Sequence, residues 1–305
     1  MLTLAAALLL SPVSTPVELA SAPAALHGTL LTPEGQTRAA AVILPGSGPT
    51  DRDGNSAQFG VRAGTYRLLA EGLAERGVAT IRIDKRGIGQ SAAAGGAEAD
   101  LRFSTNIDDA RAWIAEAATK SGQSCAWLIG HSEGALVALA TAAKDDDKVC
   151  GLVLLSGAGR PAGVVLREQL TPLPEPLKTR AYAVLSELEA GRAVADPPAE
   201  LATMFRPSVQ PYLISWLALD PAQLAAAYDG AIFIGQGTTD IQVSAADAEA
   251  IKTVQPRATL VVWNGVNHVL KTAPADRAAN VATYMDPALP LAPGVVEAVA
   301  DFVLK

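Results

Sequence analysis

The stretch "LIGHSEGALVAL" (residues 128–139) places Ser132 where an apolar run ends and a helix-forming run begins. Residues 125–129 have the length and apolar character of a strand buried on both faces. Residues 135–143 are mostly Ala and Leu, which favour helix. The pattern Gly130-x-Ser132-x-Gly134 therefore falls on a predicted strand-to-helix turn. Ser132 is either a nucleophile held above the sheet or part of an ordinary tight turn, and both interpretations need the same local geometry.

Strand-like and helix-like segments alternate along the rest of the chain. Residues 17–21 and 25–32 form a predicted hairpin, and six strands follow at residues 40–45, 78–83, 125–130, 150–155, 231–236 and 259–263. Helical patterns occupy residues 66–76, 107–120 and 245–254. This alternation predicts an α/β fold with a mostly parallel eight-stranded sheet, flanked by helices on both faces.

One interval is too long for a simple connection between strands. About seventy residues separate Leu155 from Ala231, whereas a parallel crossover needs about a dozen. Helical patterns at residues 177–190, 198–205 and 209–219 argue against a structureless loop. We predict a helical cap at residues 158–230, inserted into a core of residues 15–157 and 231–305.

Composition narrows the class of protein. The 305 residues are 50% hydrophobic and 18% charged, with a net charge of −7, so we expect a globular domain without a basic surface for nucleic acid. Residues 1–14 form an apolar leader that is too short to span a bilayer and lacks the Lys or Arg of a signal peptide. Either it is a remnant signal peptide of an exported, periplasmic protein, or it has no targeting role and the protein is cytoplasmic. Nothing in the sequence indicates an oligomeric state.

A serine nucleophile needs a base, and the chain has three histidines. His131 is adjacent to Ser132 and points elsewhere on the turn, and His27 lies in the predicted hairpin. His268 follows the last predicted strand, at the carboxyl end where open α/β sheets bind ligands. His268 is therefore the candidate base, although an isolated loop histidine would more simply be a hydrogen-bonded structural residue.

The base needs an acid to orient it, and Asp240 fits best. It lies in the loop after the strand at residues 231–236, between Ser132 and His268 in sequence. Asp240 could instead cap the helix that follows. Asp247 and Glu249 fall on that helix, where a solvated face is the better interpretation.

With these residues the chain resembles the α/β-hydrolase family, over nearly its whole length. The resemblance rests on Gly130-x-Ser132-x-Gly134, on the order Ser132, Asp240, His268, and on two further stretches. "DKRGIGQS" (84–91) resembles the family's turn after the fourth strand, and "LPGSGPTDRDGNS" (44–56) resembles the oxyanion-hole loop of bacterial carboxylesterases with a helical cap. The resemblance implies a Ser-His-Asp triad that acts on a small acyl ester without a metal or organic cofactor.

The motifs that carry this resemblance also contain candidate supporting residues. The backbone N–H groups of Ser47 and Glu133 are candidates for the oxyanion hole, which stabilises negative charge on the substrate carbonyl oxygen. Pro45-Gly46 replaces the family's usual His-Gly, and a plain glycine-rich turn is the alternative for residues 46–48. We expect the charges of Asp84 and Arg86 and of residues 51–53 to lock the two loops together by ion pairs.

The leading functional hypothesis is a serine carboxylesterase that works through an acyl-enzyme on Ser132. An aminopeptidase or amidase and an acyltransferase would use the same triad, and a non-catalytic binding module is a further alternative. An aminopeptidase would need an acidic pocket, for which the cap offers Glu168, Glu175, Glu187, Glu189 and Glu200. For an acyl or alcohol pocket the cap offers Phe205, Tyr212 and Trp216, which could instead only pack the cap on the core.

The two cysteines begin the fifth and sixth predicted strands, which are parallel neighbours in the hydrolase fold. Counting back from the carboxyl ends of these strands places Cys125 level with Cys150, within the reach of a disulfide. Two reduced, buried thiols are the alternative, as a cytoplasmic enzyme would show. A bond would agree with export.

Overall fold

The computed structural model describes residues 11–144 and 147–305. Its eight strands are β1 (Val13–Leu19), β2 (Leu26–Thr32), β3 (Ala39–Leu44), β4 (Val78–Ile83), β5 (Ala126–His131), β6 (Val149–Leu155), β7 (Ala231–Gly237) and β8 (Thr259–Trp263). They form one sheet in the order β1-β2-β4-β3-β5-β6-β7-β8. β2 pairs antiparallel with β1 and β4, and all other neighbours are parallel. The predicted α/β-hydrolase fold is confirmed.

Helices cover both faces of the sheet. They are α1 (Thr65–Ala74), α2 (Phe103–Ser121), α3 (Glu133–Ala142), α4 (Ala162–Leu170), α5 (Leu177–Glu189), α6 (Ala202–Phe205), α7 (Gln210–Leu217), α8 (Pro221–Ala227), α9 (Ala245–Val254), α10 (Arg277–Ala282) and α11 (Val295–Val303). Helices α2, α3, α8 and α9 bury one face of the sheet, and α1 and α11 bury the other. Every residue of β3 is buried, with alternate side chains in the two cores, as expected for a central strand.

The amino-terminal boundary differs from the prediction. β1 begins at Val13, so the last two residues of the predicted leader belong to the sheet. The first ten residues of that leader lie outside the described residues, and its targeting role stays a prediction. Across the described ranges, no helix is both long and apolar enough to cross a membrane.

Helices α4 to α8 occupy the interval between β6 and β7, where the cap was predicted. Leu166, Leu185, Leu188 and Leu213 belong to an apolar cluster of the cap's own. The cap also binds the start of α2, because the Ser215 hydroxyl accepts a 2.8 Å hydrogen bond from the Phe103 N–H. The insertion therefore has its own core and is anchored to the sheet domain by polar contacts.

Asp247 forms a second contact between the cap and the sheet domain, and its environment differs from the one predicted. Its side chain is fully buried and binds Arg160, at the start of the cap, with an Nη2–Oδ2 distance of 2.8 Å. Arg160 also pairs with Glu168 of α4. The predicted solvated face is wrong for Asp247, because the cap folds back onto that side of α9. Glu249, two residues on, is exposed as expected.

Cys125 and Cys150 form the predicted disulfide, with a Cα–Cα distance of 5.3 Å. The strand register differs from the predicted one, since Ala126 lies opposite Val149 and Trp127 opposite Gly151. Cys150 is the extra residue at this register shift. The bond joins β5 and β6 at the end of the sheet opposite Ser132.

Candidate active site

Ser132 lies on the turn between β5 and α3 with φ 56° and ψ −121°, a backbone conformation that residues other than Gly rarely adopt. Its N–H donates to the Leu155 carbonyl at 2.9 Å. A Cβ on Gly130 would collide with the Gly134 carbonyl, and one on Gly134 would collide with the Leu44 carbonyl. Both glycines of the motif are thus sterically required for the turn, which lifts Ser132 to the carboxyl edge of the sheet.

The structure brings Asp240 and His268 together at the same edge. Asp240 follows β7, His268 follows β8, and the Nδ1–Oδ2 distance is 2.9 Å. The other carboxylate oxygen accepts the N–H groups of Gln242 and Val243, at 2.8 and 3.0 Å. Because the carboxylate accepts the Nδ1 proton, the Nε2 lone pair of a neutral His268 is free to act as a base.

Burial raises the pKa of Asp240, but the positive charge and hydrogen bond of His268 and the two backbone N–H groups outweigh it, so this pKa is lowered overall. Asp240 therefore stays ionised at neutral pH. Among the described residues, Ser132 Oγ has no hydrogen-bond partner, so the Ser132–His268 contact is not formed in this structure. Apo active sites often show such a gap, which closes when substrate binds.

His131 points away from the Ser132 hydroxyl, as expected, and binds two loops of the site. Its Nε2 is 2.7 Å from the His268 carbonyl, which can only accept, so Nε2 carries the proton. Its Nδ1 then accepts from the Tyr66 hydroxyl at 2.8 Å, and that hydroxyl accepts from the Gly46 N–H at 2.9 Å. Burial, together with the nearby His268, lowers the pKa of His131 to about 3, so the ring is neutral.

Two candidate backbone N–H groups belong to the chain segments beside Ser132. Ser47 is exposed on the loop after β3, and Glu133 occupies the first position of α3. Neither N–H has a hydrogen-bond partner within the described part of the chain. Gly46 lies against the turn, since a Cβ there would be 3.2 Å from Ser132 Cβ. Both N–H groups are thus unpaired among the described residues, and their role in an oxyanion hole stays a prediction.

A sequence model described as "Serine aminopeptidase, S33" matches residues 59–282, a range that contains Ser132, Asp240 and His268. The chain belongs to the serine aminopeptidase S33 family. This S33 protein is therefore an α/β-hydrolase of a serine hydrolase family. No curated protein sequence matches it significantly.

Solved structures share the fold of the S33 protein at low sequence identity. Est1E from Butyrivibrio proteoclasticus is 17% identical, with a TM-score of 0.59 over 95% of this chain and 97% of that chain. The Pyrococcus furiosus esterase Pf2001 is 19% identical, with a TM-score of 0.53 over 85% and 83%. Dienelactone hydrolase from Anabaena variabilis is 16% identical, with a TM-score of 0.53 over 96% and 97%.

An ion pair between the loop after β3 and the loop after β4 confirms one part of the predicted link between them. Arg52 Nε lies 3.0 Å from Asp84 Oδ2, and the Arg52 N–H donates to Asp84 Oδ1 at 2.9 Å. Arg86 does not join this pair; it binds Asp109 of α2 at 2.7 and 2.8 Å. The loop after β3 is thus fixed against the loop after β4, while Arg86 ties the latter to α2.

The three aromatic residues proposed for the cap pocket occupy different environments. Phe205 is fully buried in the apolar cluster of the cap, a packing position without surface for a ligand, so its assignment to the pocket is corrected. Tyr212 and Trp216 lie on α7, are partly exposed and pack against both the cap cluster and the sheet core. Tyr212 accepts a 3.0 Å hydrogen bond from Asn106 of α2. The pocket role stays a prediction for these two residues.

Sequence reasoning did not single out Tyr66 and Lys85, which both bind Gly46. Lys85 belongs to the motif at residues 84–91, in which the sequence predicts ion pairs for Asp84 and Arg86 and no role for Lys85. Tyr66 is one apolar position of an amphipathic helix, and no local pattern separates it from a core residue. Among the described residues, no group of three or more His, Cys, Asp or Glu side chains is arranged to hold a metal ion.

Proposed function

We propose that the protein is a serine carboxylesterase in which Ser132 is the nucleophile, His268 the general base and Asp240 the residue that orients His268. The observation that carries the proposal is the Asp240–His268 pair on the loops after β7 and β8, at the sheet edge where the strained turn presents Ser132.

The proposed reaction proceeds in two steps. His268 Nε2 takes the Ser132 proton as Oγ attacks the ester carbonyl carbon, and the N–H groups of Ser47 and Glu133 stabilise the oxyanion. The tetrahedral intermediate collapses, the alcohol leaves with the proton from His268, and the acyl group stays on Oγ. Water, deprotonated by His268, then attacks the acyl carbon; the acyl–Oγ bond breaks, His268 returns the proton to Ser132 Oγ, and the carboxylic acid is released.

The charges of the cap favour an ester over an amino-terminal peptide substrate. An aminopeptidase binds the substrate ammonium group with an unpaired carboxylate. Each of the five candidate glutamates of the cap instead lies within 4 Å of a basic side chain; the pairs are Glu168–Arg160, Glu175–Lys178, Glu187–Arg192, Glu189–Arg167 and Glu200–Arg180. Near Ser132, the Glu133 carboxylate lies 3.8 Å from Lys85 Nζ. These pairings support a neutral ester substrate.

A substrate panel tests the proposal. We expect hydrolysis of short p-nitrophenyl esters to exceed that of aminoacyl p-nitroanilides, and a fluorophosphonate probe to label Ser132. Ser132→Ala and His268→Ala should each lower kcat by about 10⁴-fold or more while the protein stays folded by circular dichroism. Faster turnover of the anilides would favour an aminopeptidase, and transfer of the acyl group to added alcohol would favour an acyltransferase. Absence of labelling would favour a binding module.

A further inference from the structure

Lys85, in the loop after β4, reaches into the oxyanion loop. Its side chain is 14% exposed, and its Nζ donates to the Gly46 carbonyl at 2.5 Å. The same Nζ is 3.8 Å from Glu133 Oε1, and the Glu133 side chain is 4% exposed. Lys85 therefore places a buried cation between the loop after β3 and the first residue of α3.

The carbonyl that Lys85 binds belongs to the same amide as the Ser47 N–H. A donor on the oxygen of an amide draws electron density from its nitrogen, which makes the N–H a stronger donor. It also fixes which way the amide points, because a rotated Gly46–Ser47 peptide would lose this bond. At the other side of Gly46, its N–H is bound by the Tyr66 hydroxyl. The orientation of the Ser47 N–H is thus set by Lys85 on the loop after β4 and by Tyr66 on α1.

The cation also offsets an unfavourable charge. The Glu133 carboxylate lies on the residue whose N–H is the second oxyanion donor, and an unpaired buried negative charge there would oppose a developing oxyanion. Burial lowers the pKa of Lys85, and Glu133 opposes this effect. The pair therefore keeps the surroundings of the proposed oxyanion hole near neutral.

We propose that Lys85 is a positioning residue of the oxyanion hole, which orients and polarises the Gly46–Ser47 amide through the Gly46 carbonyl and neutralises Glu133. The inference rests on the proposed esterase function, since it assigns a role in stabilising the charge on an ester oxygen. In this role Lys85 acts through the Gly46–Ser47 amide, which is its hydrogen-bond partner.

Matched oxygen and sulfur substrates separate this role from a purely structural ion pair. In an O-aryl thionoester the developing charge lies on sulfur, which is larger than oxygen and a weaker acceptor, so donors placed for an oxyanion stabilise it less. We would measure kcat/KM for p-nitrophenyl acetate and for its thionoacetate analogue, because both release the same leaving group. Wild type is compared with Lys85→Met, which keeps an unbranched stem as far as Cε and removes the ammonium group, and with Lys85→Arg, which keeps the charge.

Lys85→Met should lower kcat/KM on the ester by about 10- to 100-fold, somewhat less than the loss of a direct oxyanion donor. The loss on the thionoester should be smaller, so the ester-to-thionoester ratio falls by about 10-fold. Lys85→Arg should recover part of the ratio. A structural role would lower both rates together and leave the ratio unchanged, which would overturn the inference.

A second pair of variants guards against misfolding, since Lys85→Met leaves the buried Glu133 carboxylate without its cationic partner and with the Tyr212 hydroxyl beside it. Glu133→Gln removes the carboxylate and keeps the backbone N–H, so Lys85→Met is also compared in that background. The ratio should fall there as well, and an unchanged ratio would overturn the inference for Lys85 alone. If wild type hydrolyses neither ester and Ser132 is not labelled, the proposed function fails, and this inference fails with it.

Discussion

At the scale of single residues, the site depends on side chains that connect loops far apart in sequence. His131 is 65 residues from Tyr66 and 137 from His268, yet it binds both. Its two ring nitrogens have opposite roles, so the neutral tautomer with the proton on Nε2 is required. A protonated ring would turn Nδ1 into a donor, so the Tyr66 hydroxyl would have to turn its own proton away from the ring.

The lowered pKa of His131 predicts that the stability of the protein depends on pH. The folded-state pKa is lowered to about 3, whereas an unfolded histidine titrates near 6.5. Between these two values the unfolded chain binds a proton that the folded chain does not, so the free energy of unfolding falls as the pH drops, by up to about 1.4 kcal/mol per pH unit. This contribution is fully present above pH 6.5.

Urea unfolding at pH 7.5, 6 and 4.5 measures the effect, with His131→Gln as the matched control. The groups that face His131 are the Tyr66 hydroxyl, the His268 ring and Asp240, and they are present in both proteins. The variant should be less stable than wild type at pH 7.5 and should lose less stability on acidification. Parallel pH profiles would assign the acid sensitivity to other groups.

At the scale of elements, the cap places its aromatic residues in different environments. Phe205 is fully buried within the cap cluster, whereas Trp216 is partly exposed on α7, between the cap and the core. The two aromatic residues share a chemical class and differ in environment. They form a natural pair for comparison.

Trp216→Ala should shift the preference of the enzyme among p-nitrophenyl esters of different acyl length, because it enlarges the space between α7 and the core. Phe205→Ala should destabilise the protein by about 3–5 kcal/mol and lower activity on all chain lengths in proportion. Chain-length profiles and thermal unfolding of both variants test this. A profile for Trp216→Ala that keeps the wild-type shape would assign Trp216 to packing alone.

At the scale of the whole molecule, the disulfide and the site lie at opposite ends of β5. The bond closes a loop with a sequence separation of 25 residues. Chain entropy gives such a loop a stabilisation of about 3.5 kcal/mol. Ser132 lies at the carboxyl end of the strand, away from the bond, so stability and catalysis should respond separately.

Replacing Cys125 and Cys150 by Ser should lower the urea midpoint of unfolding and leave kcat of the folded enzyme unchanged. Wild type treated with reductant should behave like the variant. Mass analysis under non-reducing conditions provides the control, since the bonded chain is two hydrogens lighter than the reduced one. Two free thiols in protein from its native compartment, or an unchanged midpoint, would contradict the prediction.

The sequence by itself determined the strand and helix pattern, the turn at Ser132, the candidates Asp240 and His268, and the position of the cap. These follow from local periodicity and from the rule that parallel strands bring their carboxyl ends to one edge of a sheet. Both kinds of information lie within short windows of the chain, which is why they could be predicted without coordinates.

Only the tertiary structure decided which polar side chains meet inside the molecule. The bond from Lys85 to Gly46 spans 39 residues, and the burial of Asp247 depends on Arg160, 87 residues away. From sequence, Phe205 had two possible environments, the pocket and the packed interior of the cap. Its burial depends on how the cap helices fold around it. The reason is physical, because a local pattern specifies which face of an element is apolar, whereas the partner of a buried charge or ring depends on how distant elements pack together.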